Sequence, residues 1–136
     1  DAELAPTPGV DDVRRLARTD ATGPTVDVRV EGDADTLPPA VGAAVFRIAQ
    51  EAVTNARRHA HDATRVDVRV EVDAAGVRLE VRDDGRPAAS VPPGYGITGM
   101  AERAALLGGT CVAGPATSDG AGWVVTAVLP RSGWAT

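Results

Sequence analysis

Four polar residues at helical spacing are the first candidates for chemistry in this sequence. They are Glu51, Asn55, Arg58 and His59. Residues three or four apart share one face of an α-helix, so Glu51, Asn55 and His59 would enter or border an inward helix face. Burial of a carboxylate or an amide without a partner costs on the order of several kcal/mol, so a partner is expected.

Two arrangements would supply that partner. In the first, Asn55 and Glu51 form hydrogen bonds with the backbone of a neighbouring loop, as most buried polar groups do. In the second, this helix face binds a metal ion or a nucleotide, with the Asn55 oxygen directed at a hard cation. Magnesium suits such a site, because it keeps several waters and usually takes only one or two protein oxygens plus phosphates.

A second candidate is the run Asp83-Asp84-Gly85, which stands where an alternating strand pattern ends. Asp83 is the last residue of that pattern, so its carboxylate can project at the sheet edge. Gly85 has no side chain and lets a ligand approach the backbone. A plain turn would use the same residues, so the run is weak evidence by itself.

A third candidate is the glycine-rich run Gly94-Tyr95-Gly96-Ile97-Thr98-Gly99-Met100, which directly precedes a helical pattern. Free backbone N–H groups and the positive end of a helix dipole form a receptor for phosphates, although a structural cap would look the same. The order of the three candidates is more specific than any one of them. A helix with Glu-x-x-x-Asn is followed by a hairpin ending in Asp-x-Gly, and then by a glycine loop.

The elements that must position these residues follow from hydrophobic periodicity. The pattern predicts a short helix over 10–19, a long helix that follows Pro38-Pro39 and runs to His59, and a third helix over 98–107 that ends at Gly108-Gly109. It predicts strands over 25–30, 65–73, 77–81, 110–113 and 122–129. In the long helix, the predicted core residues are Val41, Ala44, Val45, Ile48, Ala49, Ala52 and Ala56. Polar residues alternate along the strands, which predicts an α+β two-layer sandwich with helices on one sheet face. We predict an N-terminal linker over 1–9, one domain over 10–130 and a tail over 131–136.

Composition excludes several classes of protein. The chain has 136 residues, a net charge of −5 and 14 basic residues, all of them arginine. The absence of lysine excludes a phosphate-loop lysine, a protein-kinase ATP lysine and a Schiff-base enzyme. The acidic balance argues against a nucleic-acid partner. A single cysteine, Cys111, and the lack of a long apolar run predict a cytoplasmic domain without disulfides and without direct membrane contact.

Together these motifs resemble a known family. The run from Gln50 to Ala60 is similar to the N box of sensor histidine kinases, Asp83-Asp84-Gly85 to the G1 box, Gly94 to Met100 to the G2 box, and Met100-Ala101-Glu102-Arg103 and Val128-Leu129-Pro130 to later family segments. The NarL-type class of these kinases also begins its catalytic segment with a Pro-Gly-hydrophobic helix, as at Pro8-Gly9-Val10. The resemblance covers residues 4 to 130.

The resemblance implies the Bergerat ATP-binding fold, a helical layer on a mixed sheet, with ATP and Mg²⁺ as cofactors. In that family the residue at Asn55 coordinates Mg²⁺, and the residue at Glu51 is catalytic and orients the attacking group near the γ-phosphate. Asp83 would accept a hydrogen bond from the adenine amino group. The further ATP-binding positions implied are Arg58 on phosphate, His59 beside the nucleotide, Gly85, and Gly94, Tyr95, Gly96 and Ile97 in the lid.

The implied function is transfer of the γ-phosphoryl of Mg-ATP to a histidine on a dimerisation domain that is not visible in this chain. The implied partners are that helical phosphoacceptor domain and a response regulator, and the isolated chain is not expected to autophosphorylate. One alternative is a stand-alone serine kinase of the anti-sigma type. Another is a degenerate module that binds a partner without nucleotide, an option suggested by Pro87 where the G1 pattern has a second glycine.

Overall fold

The computed structural model describes residues 7–19, 23–59, 62–85, 97–116 and 122–131. The strands are β1 (Thr25–Glu31), β2 (Arg65–Val72), β3 (Gly76–Asp83), β4 (Thr110–Pro115) and β5 (Trp123–Pro130). The helices are α1 (Pro39–His59) and α2 (Ile97–Ala105), with short 3₁₀ helices at Val10–Leu16 and Ala34–Thr36. Each predicted strand is present, with ends that differ by up to two residues. The predicted domain boundaries stay a prediction.

The five strands form one mixed sheet in the order β1-β2-β3-β5-β4. β1 and β2 are parallel, and the other neighbouring pairs are antiparallel. Parallel neighbours need a long crossover connection, and α1 lies in the segment that makes it. The turn between β2 and β3 is short, as the hairpin pattern predicted. The α+β two-layer architecture with a mixed sheet is therefore confirmed.

The hydrophobic core lies between α1 and one face of the sheet. All seven predicted core residues of α1 are at most 6% exposed, and Ile48 is completely buried. On the sheet, the buried residues alternate with charged ones, because successive strand residues point to opposite faces. The helix-facing side carries Val66, Val68, Val70, Leu79, Val81, Val125, Ala127 and Leu129, all at most 4% exposed.

The opposite sheet face is charged and lies in solvent. Arg65 contacts Asp27 and Asp67 at 2.5 and 2.8 Å, and Arg82 contacts Glu80 at 2.8 Å. Exposed ion pairs of this kind contribute roughly 0–1 kcal/mol each. These ion pairs show which face of the sheet lies in solvent. The hydrophobic core, and not these pairs, stabilises the fold. No helix in the described part of the chain is long and apolar enough to cross a membrane.

The helix predicted over 10–19 is present but shorter, because the structure has a 3₁₀ helix at Val10–Leu16. Val10 and Val13 are both buried, and a spacing of three residues suits a 3₁₀ helix as well as an α-helix. The helix ends because Arg18 exchanges backbone hydrogen bonds with Val26 at 3.0 and 2.8 Å. The chain beyond the helix is thereby tied to β1.

The predicted glycine stop at the end of α2 is confirmed. Gly108 has a φ of +79°, which favours glycine. The N–H of Gly109 donates to the carbonyl of Ala104 at 2.9 Å, and the N–H of Gly108 donates to that of Ala105 at 3.0 Å. These two bonds form a Schellman cap. The helix itself runs one residue further at its start and ends two residues earlier than predicted.

Candidate functional site

Asp83 ends β3 on the helix-facing side of the sheet. It lies opposite Val66 of β2 and Trp123 of β5. Leu79 and Val81 precede it on the same face, and the next position in that alternation is the carboxylate. Asp83 is 6% exposed and is the one buried charged residue among those that the structure describes. The strand pattern alone predicted an aspartate at this end of the sheet, and the structure shows that it faces the core.

Among the described residues, the Asp83 carboxylate has a single hydrogen-bond donor. The N–H of Gly85 donates to its Oδ1 at 2.9 Å, and no other described residue donates to the carboxylate. Burial raises the pKa of Asp83 and the nearby Asp84 charge raises it further, while the Gly85 hydrogen bond lowers it. A buried carboxylate oxygen without a donor favours binding of an external N–H group.

Asp84, by contrast, uses both carboxylate oxygens within the protein. Its Oδ1 accepts from the N–H of Thr64 at 2.8 Å and of Arg65 at 3.1 Å, and its Oδ2 accepts from the Thr64 hydroxyl at 2.5 Å. Burial alone would raise the pKa of Asp84, but the hydrogen bonds from Thr64 and Arg65 outweigh it and lower the pKa. The sequence pattern predicted no separate role for Asp84, although aspartate directly after a strand often binds nearby backbone N–H groups.

Gly122, just before β5, also contacts this end of the sheet. Its N–H donates to the carbonyl of Gly85 at 3.0 Å. Gly85 is buried. The segment Asp83-Asp84-Gly85 is therefore held on both sides, by the start of β2 and by the start of β5. The sequence predicted Gly122 as the start of the last strand but gave no sign of its contact with Gly85, which lies 37 positions earlier in the chain.

The C-terminal end of α1 lies at the same end of the sheet as Asp83. A guanidinium N–H of Arg57 donates to the carbonyl of Pro24 at 3.0 Å. Thr25 at the start of β1 donates its N–H to the carbonyl of Thr64 at 3.1 Å. Thr64 in turn is bound by Asp84. These contacts connect the last turns of α1 to the segment that carries the buried carboxylate.

The predicted helix face is only partly confirmed. Asn55 lies between buried Ala52 and Ala56 and is itself half-buried. Glu51 and Arg58 are exposed. Of the two placements expected for Glu51, inside the buried face of α1 or at its border, the structure shows the second, because Glu51 is exposed and stands next to buried Ala52. No described residue forms a hydrogen bond with the side chain of Asn55, so the neighbouring-loop arrangement has no support within the described part of the chain.

The structure describes the remaining predicted site residues to different extents. His59 is the last residue of α1, but its side chain lies outside the described part of the structure, as do Gly94, Tyr95 and Gly96 entirely. Ile97 is the first residue of α2 and is half-buried. Within the described ranges, no three His, Cys, Asp or Glu residues group to hold a metal ion by themselves. A magnesium ion held by one protein oxygen would take its other ligands from phosphates and water.

Comparison with known proteins places the chain in a family. The family model for "Histidine kinase-, DNA gyrase B-, and HSP90-like ATPase" matches residues 40–133. The sensor histidine kinase YxjM of Bacillus subtilis (strain 168) is 40% identical over 76 residues, which are 56% of this chain and 18% of that protein. The sensor histidine kinase MctS of Rhizobium johnstonii is 32% identical over 117 residues, 82% of this chain and 24% of that protein. The chain thus spans about a fifth to a quarter of the length of these relatives.

Solved structures show the same fold. The blue-light activated histidine kinase of Erythrobacter litoralis (EL346) matches with a TM-score of 0.61 and 22% identity over 90% of this chain and 42% of that one. The mycobacterial sensor histidine kinase MprB matches with a TM-score of 0.56 and 20% identity over 90% of this chain and 91% of that one. The chain therefore belongs to the histidine kinase-, DNA gyrase B- and HSP90-like ATPase family, and within it to the ATP-binding domains of sensor histidine kinases.

Proposed function

We propose that this domain binds Mg-ATP between the C-terminal half of α1 and the end of β3. It then transfers the γ-phosphoryl group to a histidine of a helical dimerisation domain outside these residues. A response regulator would receive the phosphoryl group from that histidine. Because ATP is the substrate, we expect the domain to act in the cytoplasm.

The observation that carries the proposal is the state of Asp83. A carboxylate that is 6% exposed and accepts one hydrogen bond from Gly85 is costly in the ligand-free protein. The 6-amino group of adenine would supply a second donor to this carboxylate. An adenine base bound there would donate a hydrogen bond from its amino group to Asp83. It would also contact the backbone at Gly85, where no side chain obstructs it.

The phosphate end of the nucleotide would lie toward the helix termini. Asn55 offers an amide oxygen that no described residue occupies, and it is the proposed Mg²⁺ ligand. Arg58 is exposed and can extend to a phosphate, and Glu51 is one turn from Asn55 and would orient the attacking group. His59, Gly94, Tyr95, Gly96 and Ile97 complete the proposed ATP-binding set. Phosphoryl transfer depends mainly on such positioning and charge neutralisation.

Calorimetric titration of the chain with ADP and Mg²⁺ tests the proposal. Asp83→Asn should weaken binding about 10- to 100-fold, because a hydrogen bond to a charged group contributes about 1.5–3 kcal/mol. Asp67→Asn is a matched control, since Asp67 lies on the opposite, solvent face of the same sheet. Equal affinity of the wild type and Asp83→Asn would contradict the placement of the base. Absence of heat with the wild type would favour the degenerate, nucleotide-free module.

The acceptor is tested separately. Incubation of the isolated chain with γ-labelled ATP should leave the protein unlabelled, because the proposed acceptor histidine belongs to another domain. Addition of a helical domain with an acceptor histidine from the same parent protein should give acid-labile label on that domain. Stable label on the isolated chain would contradict the proposed division of roles.

A further inference from the structure

Asp84 joins the end of β3 to the start of β2 by side-chain hydrogen bonds. The last residue pair of this antiparallel ladder is Val66 with Asp83. One residue further, the N–H of Asp84 donates to the carbonyl of Arg65 at 3.3 Å, and the Asp84 carboxylate binds the N–H groups of Thr64 and Arg65. The side chain therefore extends the connection beyond the last backbone pair.

The orientation of the Asp83 carboxylate depends on the backbone that Asp84 holds. The Oδ1 of Asp83 accepts from the N–H of Gly85 at 2.9 Å, so a movement of Gly85 moves the donor that fixes this carboxylate. Asp84 lies between these two residues in the chain. Gly122 holds Gly85 from the β5 side through its N–H, at 3.0 Å. Without the Asp84 side chain, only the 3.3 Å backbone hydrogen bond to Arg65 would hold this segment to β2 beyond the last ladder pair.

We propose that Asp84 is a positioning residue for nucleotide recognition, which acts by fixing the Asp83-to-Gly85 backbone against β2. It does not itself contact the base, since Thr64 and Arg65 occupy both of its oxygens. The inference rests on the proposed function, because it assumes that the Asp83 carboxylate reads the adenine amino group. It adds that the specificity for adenine depends on a side chain that faces the protein and not the ligand.

Asp73 supplies a matched control within the same hairpin. Its Oδ1 accepts from the N–H of Ala75 at 2.9 Å and of Gly76 at 3.1 Å, in the turn at the opposite end of β2 and β3. Asp84→Ala and Asp73→Ala therefore remove the same kind of backbone contact from the two ends of one hairpin. Asp84→Asn is the conservative variant, because an amide oxygen can still accept from both N–H groups and its NH₂ can donate to the Thr64 hydroxyl.

The first measurement is the affinity for ADP and for IDP, in which a carbonyl replaces the 6-amino group. In Asp84→Ala, the preference for ADP over IDP should fall about tenfold, which corresponds to about 1.4 kcal/mol. Asp84→Asn and Asp73→Ala should keep the wild-type preference. In the Asp83→Asn background, Asp84→Ala should change the preference for ADP over IDP little further. The reason is that Asp84 acts on the base only through Asp83. The proposal would be overturned if Asp84→Ala weakened ADP and IDP binding equally. It would also be overturned if Asp73→Ala lowered the preference for ADP as much as Asp84→Ala does.

The second measurement is hydrogen exchange of the Gly85 amide without any nucleotide. Asp84→Ala should speed this exchange relative to the wild type, whereas Asp84→Asn and Asp73→Ala should leave it unchanged. Unchanged Gly85 exchange in Asp84→Ala would overturn the positioning role even if nucleotide affinity fell. A wild-type chain that binds neither ADP nor IDP would refute the proposed function and with it the adenine part of this inference, while Gly85 exchange would still decide whether Asp84 positions the backbone.

Discussion

A Cβ atom placed on Gly122 would lie 2.9 Å from the carbonyl oxygen of Asp83. Gly122 also has a φ of +73°, a conformation that residues with a side chain rarely adopt. The chain entering β5 therefore packs directly on the backbone of the buried aspartate. A glycine is required here for two separate reasons, the backbone conformation and the lack of space beside Asp83.

Gly122→Ala should destabilise the protein by about 1–3 kcal/mol, because a left-handed conformation costs a residue with a Cβ about 1–2 kcal/mol and the contact adds to it. Urea unfolding at neutral pH measures the change. Gly114→Ala is the control, since a Cβ at Gly114 meets no atom within 4 Å. A Gly122→Ala variant as stable as Gly114→Ala would show that the β5 start can move away from Asp83.

Asp83→Asn should make the ligand-free protein more stable at neutral pH. Burial raises the pKa of Asp83 above its ordinary value of 3.8, so the folded protein holds this proton more tightly than the unfolded chain. The free energy of unfolding of the wild type therefore falls as pH rises from the ordinary pKa to the folded one, and the loss persists above it. Asparagine has no carboxyl group to ionise, so the variant does not lose this stability.

Urea unfolding of the wild type and Asp83→Asn across acidic and neutral pH checks this prediction. The stability difference should be largest at neutral pH and should shrink as pH falls toward the ordinary pKa of aspartate. A wild type more stable than Asp83→Asn at neutral pH would contradict the view that the carboxylate is held at a cost to stability. In that case an unseen donor would have to satisfy it.

Local patterns predicted most of the elements correctly. Seven buried residues of α1 were predicted from their spacing, because a helix that packs on a sheet must place its apolar residues on one side. Val53, which is 5% exposed, was missed. Asp83 was found because it ends an alternating strand, and Gly108 because a helix end favours glycine. In each case the information lies within a few neighbouring residues.

Features that depend on distant contacts could not be predicted from these patterns. The 3₁₀ helix at Val10–Leu16 ends where Arg18 pairs with Val26. The spacing of the buried valines gives no information about that contact. The exposure of Glu51 depends on how α1 is rotated on the sheet. Asp84 and Gly122 act on partners 19 to 20 and 37 positions away in the chain, respectively. Spacing within one segment carries no sign of such pairs.

Ile48→Ala should destabilise the fold by about 2–5 kcal/mol, since it removes a completely buried side chain between α1 and the sheet and leaves a cavity. Urea unfolding provides the measurement. The adjacent Arg47 is exposed, so Arg47→Ala should change stability by roughly 0.5 kcal/mol or less. Similar effects of the two substitutions would mean that α1 does not pack on the sheet through this face.

Asn55→Ala should remove the dependence of ADP binding on magnesium. In the wild type, Mg²⁺ should raise the affinity for ADP, because the Asn55 oxygen would hold the metal and the metal would neutralise phosphate charge. In Asn55→Ala, the affinity measured with Mg²⁺ should fall toward the affinity measured with a chelator present. Calorimetric titration under both conditions tests this, and Thr54→Ala, an exposed neighbour on the same helix, serves as the control. If Mg²⁺ strengthens ADP binding equally in the wild type and Asn55→Ala, then Asn55 is not the metal ligand and the ion is held by other residues.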